Sequence, residues 1–491
     1  MLLKNIGIIG SGFASMSAAA VLSKAGFDVH VFEKNNMPGG RARKFSENGF
    51  TFDMGPSWYW MPETFENFYN LFGKKASDFY ELKRLDPSYR VFFSNNEQVD
   101  VPADYHALEK WFESVEPGSS KKLNTFLHEA EYKYSVGMSE FVWKPSLSIF
   151  EFFDFRILKS FFKLQMFSSL AKEVDSLFKN HKLREILKFP VLFLGATPEK
   201  TPALYSLMNY ADIKLGTWYP KKGMYEIVDA FYKIGLEQGV NFHFHEEVSS
   251  INIENDKVVG LTTKKQTYTF DFVIGGGDYH HMDQALLQDK NRQYTSSYWN
   301  KRVMAPSSLL FYLGLSKKIE GLEHHNLFFD EDFSTHANEI YTTPAWPTRP
   351  LFYVSCPSKT DDSVAPEGKE NVFLLMPIAP DLQDNDEVRE YYFNLMCDRI
   401  QQRISTDLRS LIEYKKSYCL SDFKEDYHAF KGNAYGLANT LLQTAFLKPK
   451  MKHSSVKNLF FTGQLTTPGP GVPPSIISGQ VVANFIINNS K

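Results

Sequence analysis

The period of the apolar residues changes repeatedly along the first fifty positions, and each change predicts an element. Apolar residues over Asn5–Ile9 read as a strand, Gly10-Ser11-Gly12 as a turn, and the Ala-rich run from Phe13 as a helix ending at Gly26. A second strand over Asp28–Glu33 precedes Gly39-Gly40-Arg41-Ala42-Arg43. Farther on, Phe50–Pro56 predicts a short strand and turn, and Val91–Val101 a hairpin around Asn95-Asn96. Residues 105–181 are helical and aromatic in pattern, whereas Asn241–Gly276 returns to short alternating strands with a turn at Asn255-Asp256. Strands at Leu351–Cys356 and Val372–Pro377 flank the polar run Lys359–Asn371, which has the composition of a solvated loop. Near the end, Asn458–Thr462 predicts a strand, Gly463–Pro474 a Gly/Pro turn and Ser475–Asn488 a helix. No internal repeat or low-complexity tract interrupts this α/β alternation.

The first strand, turn and helix carry chemistry. Gly10 permits the tight turn, Gly12 lets backbone approach a pyrophosphate, and the helix N-terminus presents unpaired N–H groups to its negative charge. Glu33 stands about twenty residues on, where an acidic side chain meets ribose hydroxyls. The third glycine of the fingerprint is Ser15, still small enough for close helix-to-strand packing. This context favours dinucleotide binding over a secretory signal, because Gly10 and Gly12 interrupt any apolar core of a signal peptide. The second Gly-rich turn is constrained by Pro468, Pro470, Pro473 and Pro474. Prolines lack N–H groups, so free donors at this helix entrance are expected from Val472 and from Ser475 or Ile476. Gly39-Gly40-Arg41 after Glu33 makes FAD the expected cofactor in place of a nicotinamide dinucleotide, and these donors would stabilise the charge that its reduced flavin develops near N1.

Composition narrows the class. With 491 residues the chain can bury a large core over two or three domains. Lys plus Arg is 54 against 57 Asp plus Glu, a balance that gives no reason to expect a nucleic-acid partner. Cys356, Cys397 and Cys419 have no C-x-x-C spacing, which suggests reduced thiols in a cytoplasmic setting. His280-His281 and His324-His325 lack the helical spacing and partners of a zinc site, so no metal is expected. No stretch reads as a membrane span. The 43 Phe residues, however, imply large apolar surfaces in a core, a substrate tunnel or a lipid contact.

Gly39–Arg43, Phe52-Asp53-Met54-Gly55-Pro56-Ser57 and Gly463–Ser475 together resemble the bacterial carotenoid (phytoene) desaturases of the flavin amine-oxidase-like superfamily. The resemblance spans nearly the whole chain, with further support from Leu85–Tyr89, Thr201–Tyr205 and Gly432–Phe446. Trp58-Tyr59-Trp60-Met61-Pro62 resembles a bacteroidete branch of that family. It implies an α/β fold in which a Rossmann-like FAD-binding domain (1–80, 215–290, 430–491) interleaves with a mixed α+β substrate domain (81–104, 182–214, 291–429). Residues 105–181 would form a helical, aromatic-rich lid or membrane-facing segment. By position, Gly10, Ser11, Gly12, Phe13, Ala14, Glu33 and Lys34 would surround the pyrophosphate and ribose, Gly40 and Arg41 the phosphate side, and Val248 the adenine. Gly55, Pro56, Ser57, Gly463, Val472 and Pro473 would lie by the flavin ring. The family's Gly-Gly-Met turn is Lys222-Gly223-Met224 here, and its Asn-Ala-Asp turn is Gly276-Gly277-Asp278.

The implied reaction introduces C=C bonds into phytoene, toward lycopene, by hydride transfer to flavin with proton loss. A later carotenoid, hydroxylated or cyclised, is the alternative substrate, as in 3,4-desaturation. A flavin amine oxidase and a non-catalytic isoprenoid carrier are further alternatives. Asp426, Tyr427, His428, His324 and His325 are polar candidates on the substrate side, and none is assigned as a catalytic base. Oxygen or a quinone would reoxidise the flavin. A bilayer-dissolved C40 substrate implies peripheral association with the inner face of the cell membrane. Phe150–Leu170, with Arg156, Lys159 and Lys163 at helical spacing, is the candidate contact, or else a core helix.

Overall fold

The computed structural model describes residues 4–148, 151 and 168–490. A five-stranded parallel sheet runs in the order Leu459–Phe461, Phe272–Gly275, Asn5–Ile9, Asp28–Phe32, Asn241–His243. Parallel strands need crossovers that cover both faces, which explains why these strands are almost continuously apolar. The helices Phe13–Lys24 and Val472–Asn489 pack together on this sheet. The approach is close: a Cβ on Gly479 would overlap the Ala14 carbonyl oxygen.

A second, seven-stranded sheet runs Ile412–Tyr418, Ser307–Leu315, Glu370–Ile378, Phe352–Ser355, His325–Phe329, Tyr89–Phe93, Gln98–Val101. All neighbours are antiparallel except His325–Phe329 with Tyr89–Phe93. Its second strand, Ser307–Leu315, flanked on both sides, is buried throughout. The two-residue period divides the strand's faces. Leu309, Phe311 and Leu313 pack with Phe393, Met396 and Ile400 of the helix Asp386–Ile404, while Ser308 and Leu310 face a cavity. Directly opposed residues Leu310, Leu375, Tyr353 and Leu327 make a straight row across four strands on that cavity face.

Mixed α/β structure and the alternation of sheet segments agree with the pattern read from the chain. One local expectation is corrected. The polar run Lys359–Asn371 is not simply a solvated loop, because Asp361, Val364, Glu370 and Asn371 are buried. Asp361 accepts the Lys222 N–H, Ser358 Oγ donates to Glu370, and Lys359 pairs with Glu370 at 2.9 Å. Its polar residues serve internal contacts that composition does not reveal. Leu82–Arg84 pairs with Trp218–Pro220 in a separate two-stranded sheet. Of the candidate membrane segment Phe150–Leu170, only Glu151 and residues 168–170 are described, so that expectation lies outside the described residues. Among the described residues, no helix is long and apolar enough to cross a membrane.

Candidate functional site

The strand Asn5–Ile9 delivers the chain to Gly10 at φ 87°, a left-handed conformation that favours glycine. Gly12 then caps the helix Phe13–Lys24 without a side-chain hydrogen bond, leaving first-turn amides for a ligand. A Cβ on Gly12 would meet nothing within 4 Å. Gly40 lies against it, and a Cβ on Gly55 would overlap the Arg41 carbonyl oxygen. These approaches gather three turns of the first 55 residues at one helix N-terminus.

Each residue placed by sequence around the cofactor lines one cavity of about 510 Å³: Gly10 to Ala14, Glu33, Lys34, Gly40, Arg41, Gly55 to Ser57, Val248, Gly463, Val472 and Pro473. Their side chains do different things. Phe13 packs its ring edge-on against Phe231 at 5.3 Å, and Lys34 Nζ donates to the Glu425 carbonyl at 2.6 Å. Val248 opens the strand Val248–Glu254 beside Glu246 and Glu247. Next to them the His281 and His428 rings stack at 3.9 Å, and His428 Nε2 lies 2.8 Å from Glu247. Burial pushes His281 down to about 4, so it is neutral at physiological pH.

Glu33 is buried and already engaged. Its Oε2 accepts the Ser11 N–H and hydroxyl at 3.0 and 2.8 Å, and its Oε1 accepts the Asn35 backbone and side-chain N–H groups, both at 2.9 Å. A carboxylate offers about four lone-pair directions. A ribose diol at Glu33 therefore has to share or displace donors, and the Ser11 hydroxyl and Asn35 amide are the rotatable ones.

Arg41 lacks such satisfaction. One guanidinium nitrogen donates to the Asn433 carbonyl at 3.2 Å, Nε has no partner, and the group lies 5.5 Å over the Tyr427 ring. Burial pulls its pKa below the usual arginine value. Arg43, by contrast, is paired with Asp426 and contacts the Tyr427 hydroxyl at 3.3 Å. An under-satisfied arginine beside an open helix N-terminus fits the pyrophosphate of FAD.

At the other end, the helix Val472–Asn489 starts with Pro473 and Pro474 in its first turn. The expected donor at Ser475 is not available, because its N–H donates to the Gly471 carbonyl at 3.0 Å. Helix formation itself consumes that donor, leaving Val472 to supply the free N–H. Gly463, at φ 106°, donates its N–H to Ser478 Oγ at 3.1 Å.

The cavity continues past Gly55 and Pro56 into a chamber that motif reading missed. Trp58, Trp60, Phe189, Leu192, Met208 and Phe329 line it above the Leu310–Leu375–Tyr353–Leu327 row. The sequence signals were the aromatic run after Pro56 and the excess of Phe; the remaining walls come from dispersed positions, Phe189, Leu192 and Met208 on short helical segments and Phe329 on a strand. Asp426, Tyr427 and His428 reach the cavity, whereas His324 and His325 lie buried behind it. His325 Nδ1 is 2.6 Å from the Tyr353 hydroxyl, and His324 Nδ1 is 2.8 Å from Thr360 Oγ1. Burial holds His324 near 3 and His325 well below its usual value, so both are neutral imidazoles.

The family described as flavin containing amine oxidoreductase matches residues 14–487. A carotenoid 3,4-desaturase of Haloarcula japonica is 40% identical over 487 residues, covering 99% of this chain and 98% of that protein. A zeta-carotene-forming phytoene desaturase of Myxococcus xanthus is 31% identical, covering 99% and 94%. Among solved structures, an oxidoreductase from Methanosarcina mazei superposes with a TM-score of 0.66 at 17% identity, covering 98% of this chain and 100% of that one. Cyclohexylamine oxidase from Brevibacterium oxydans gives 0.60 at 13%, covering 99% of each chain. At those identities the structures establish the fold alone, while the family match and the two full-length relatives establish descent. The chain belongs to the flavin-containing amine oxidoreductases, and within them to the carotenoid desaturases.

Proposed function

We propose that the protein is an FAD-dependent desaturase of a C40 carotenoid, with phytoene as the first substrate reading. The observation that carries this is the continuity of one cavity from the Gly10–Gly12 turn to an apolar chamber walled by Trp58, Phe189 and Leu375. Bound FAD would supply the hydride acceptor for C–H cleavage. The chain's part is to hold and orient: Gly12, the helix Phe13–Lys24 and Arg41 would secure the pyrophosphate, Glu33 the ribose, Val248 the adenine end, and Val472 the ring's developing charge. The chamber walls exclude water and align one bond. No residue is assigned as proton acceptor, because His324 and His325 are sealed behind the wall. Oxygen or a quinone would reoxidise the cofactor.

A second reading, desaturation of a later, hydroxylated carotenoid, is favoured by two observations. Ser57, Ser308, Tyr353 and Tyr435 stand among the aromatic and aliphatic residues that line the chamber, and the relative at 40% identity is a 3,4-desaturase. Pigment analysis after coexpression with a phytoene-producing pathway separates the readings. Lycopene-like products support the first; unchanged phytoene, with conversion of a hydroxylated carotenoid, supports the second. Unchanged pigment in both cases rejects carotenoid desaturation.

The division into a cofactor domain (1–80, 215–290, 430–491) and a substrate domain is supported by the parallel sheet, whose strands come from all three segments. Peripheral attachment to the inner face of the membrane is supported by a second cavity, which Tyr341 shares with the first. Val303 and Leu442 line its rim, and Leu442 is 79% exposed. Loss of vesicle co-sedimentation after Leu442→Glu tests that attachment.

A further inference from the structure

Lys448 is 2% exposed, and among the described residues its Nζ has neither a hydrogen-bond partner nor an ion-pair partner. An ammonium in such surroundings is costly unless something answers its charge. Its neighbours are the Gly/Pro turn and Asn439. A Cβ on Gly469 would stand 3.3 Å from both Lys448 Nζ and Asn439 Oδ1, and Gly469 holds φ 139°. Asn439 Oδ1 and Thr467 Oγ1 are likewise buried without partners. Two unsatisfied polar groups thus meet against Gly469, with a third, Thr467 Oγ1, two residues before it in the chain.

The front of that stretch faces the cofactor cavity, for Pro470, Gly471, Val472 and Pro473 all line it. With Cα atoms 3.80 Å apart along the chain, Lys448 Nζ lies within about 9 Å of the Pro470 Cα. The separation is covered by buried protein, where charges are weakly screened. The two prolines and the Ser475–Gly471 bond have also stripped this helix entrance of donors, so hydrogen bonding there is thin.

We propose that Lys448 is the charge that sets the reduction potential of the bound flavin, acting from behind the Gly469–Gly471 turn as a positioning residue and not as a group that touches substrate. This rests on reading the cavity as the FAD site. In the reductive half-reaction the substrate would lose a hydride to bound flavin and a proton to solvent, leaving one more negative charge at the ring, which reoxidation by oxygen or a quinone would remove. Lys448, when neutral, takes one proton from the same solvent pool, so the buried region gains compensating charge. Burial alone pulls Lys448 down to about 7, and no ionisable group opposes or assists it, the adjacent Asn439 and Thr467 being neutral. The cation is therefore present below about pH 7 in the oxidised protein and is recruited on reduction above it.

The test is the potential of the flavin in the purified full-length protein, measured against a reference dye. Lys448→Met should bind flavin and show a potential lower by at least about 30 mV near pH 6, a tenfold change in the two-electron equilibrium. The gap should narrow toward pH 9, and Lys448→Arg should keep the higher potential without that pH dependence. Asn439→Asp places a carboxylate beside the ammonium and should lower the potential in the same direction, even if Lys448→Met fails to fold. Flavin-loaded variants at the wild-type potential overturn the proposal. A wild-type protein that binds no flavin overturns the FAD reading instead.

Discussion

Ser15 Oγ occupies the space that a side chain at Gly276 would need: a Cβ built on Gly276 would overlap it. The two positions depart separately from the family's motifs, Ser15 replacing a third glycine and Gly276 replacing an asparagine. In the fold they are one contact, where the first helix crosses the turn after Phe272–Gly275. Gly276→Ala alone should destabilise by about 2 kcal/mol through overpacking. Combined with Ser15→Gly it should recover part of that loss, with a coupling of about 1–2 kcal/mol. Denaturant unfolding of the two single variants and the double variant measures the cycle, and additive losses would contradict the contact.

Arg41 should govern cofactor retention. Its Nε is unsatisfied without a ligand, and no described carboxylate forms an ion pair with it. Arg41→Met should weaken FAD binding by about 2–3 kcal/mol, in the range of charge-assisted hydrogen bonds, or roughly 100-fold. Arg43→Met removes a residue already paired with Asp426 and should affect flavin less. The ratio of flavin to protein absorbance after gel filtration distinguishes the two.

Trp58 forms the chamber wall by leaning on a buried histidine. Its ring stacks on His325 at 4.1 Å and within 12° of parallel, while His325 is tied to Tyr353. His325→Leu removes both supports and leaves the Tyr353 hydroxyl without that partner, at a cost of about 1–3 kcal/mol. Turnover should fall about tenfold or more with flavin content unchanged, because the wall moves and the phosphate end does not. Because His325 is neutral in the fold, it should contribute stability that is lost as pH falls below about 6.5, where the unfolded chain takes up a proton the native state refuses. Equal turnover in the variant would separate the wall from catalysis.

Asp212 supplies a pH test of the opposite sign. Its carboxyl is buried, accepts the Tyr89 hydroxyl at 2.9 Å and the Thr217 hydroxyl at 3.2 Å, and is pushed up by burial to about 7. Between about pH 4 and pH 7 the native state holds a proton that the unfolded chain releases, so stability falls as pH rises through that window. Asp212→Asn removes the slope. The variant should gain on wild type by about 1–3 kcal/mol from pH 4 to pH 7, then run parallel above. Melting temperatures across that range measure it; a constant offset would show that Asp212 ionises without penalty.

What the sequence determined was local. The Gly10–Gly12 turn, the helix after it, Glu33, the Gly39–Arg43 turn and the Gly463–Pro474 segment were legible because each depends on residues near in the chain: glycine where φ is positive or backbone approaches closely, proline where N–H groups are absent. Family resemblance ordered them around one cofactor. The tertiary structure decided what those residues have left to offer. Glu33 is occupied by Ser11 and Asn35, Ser475 has spent its N–H, Arg41 has not spent its Nε, and Lys448 stands uncompensated behind the turn. The chamber floor belongs to the same category, since Leu310, Leu375, Tyr353 and Leu327 meet only through strand register. Which donors and acceptors are spent depends on the geometry each group meets in the fold, from Asn35 two residues from Glu33 to Asn433 across the chain from Arg41, and spacing along the chain carries no record of it.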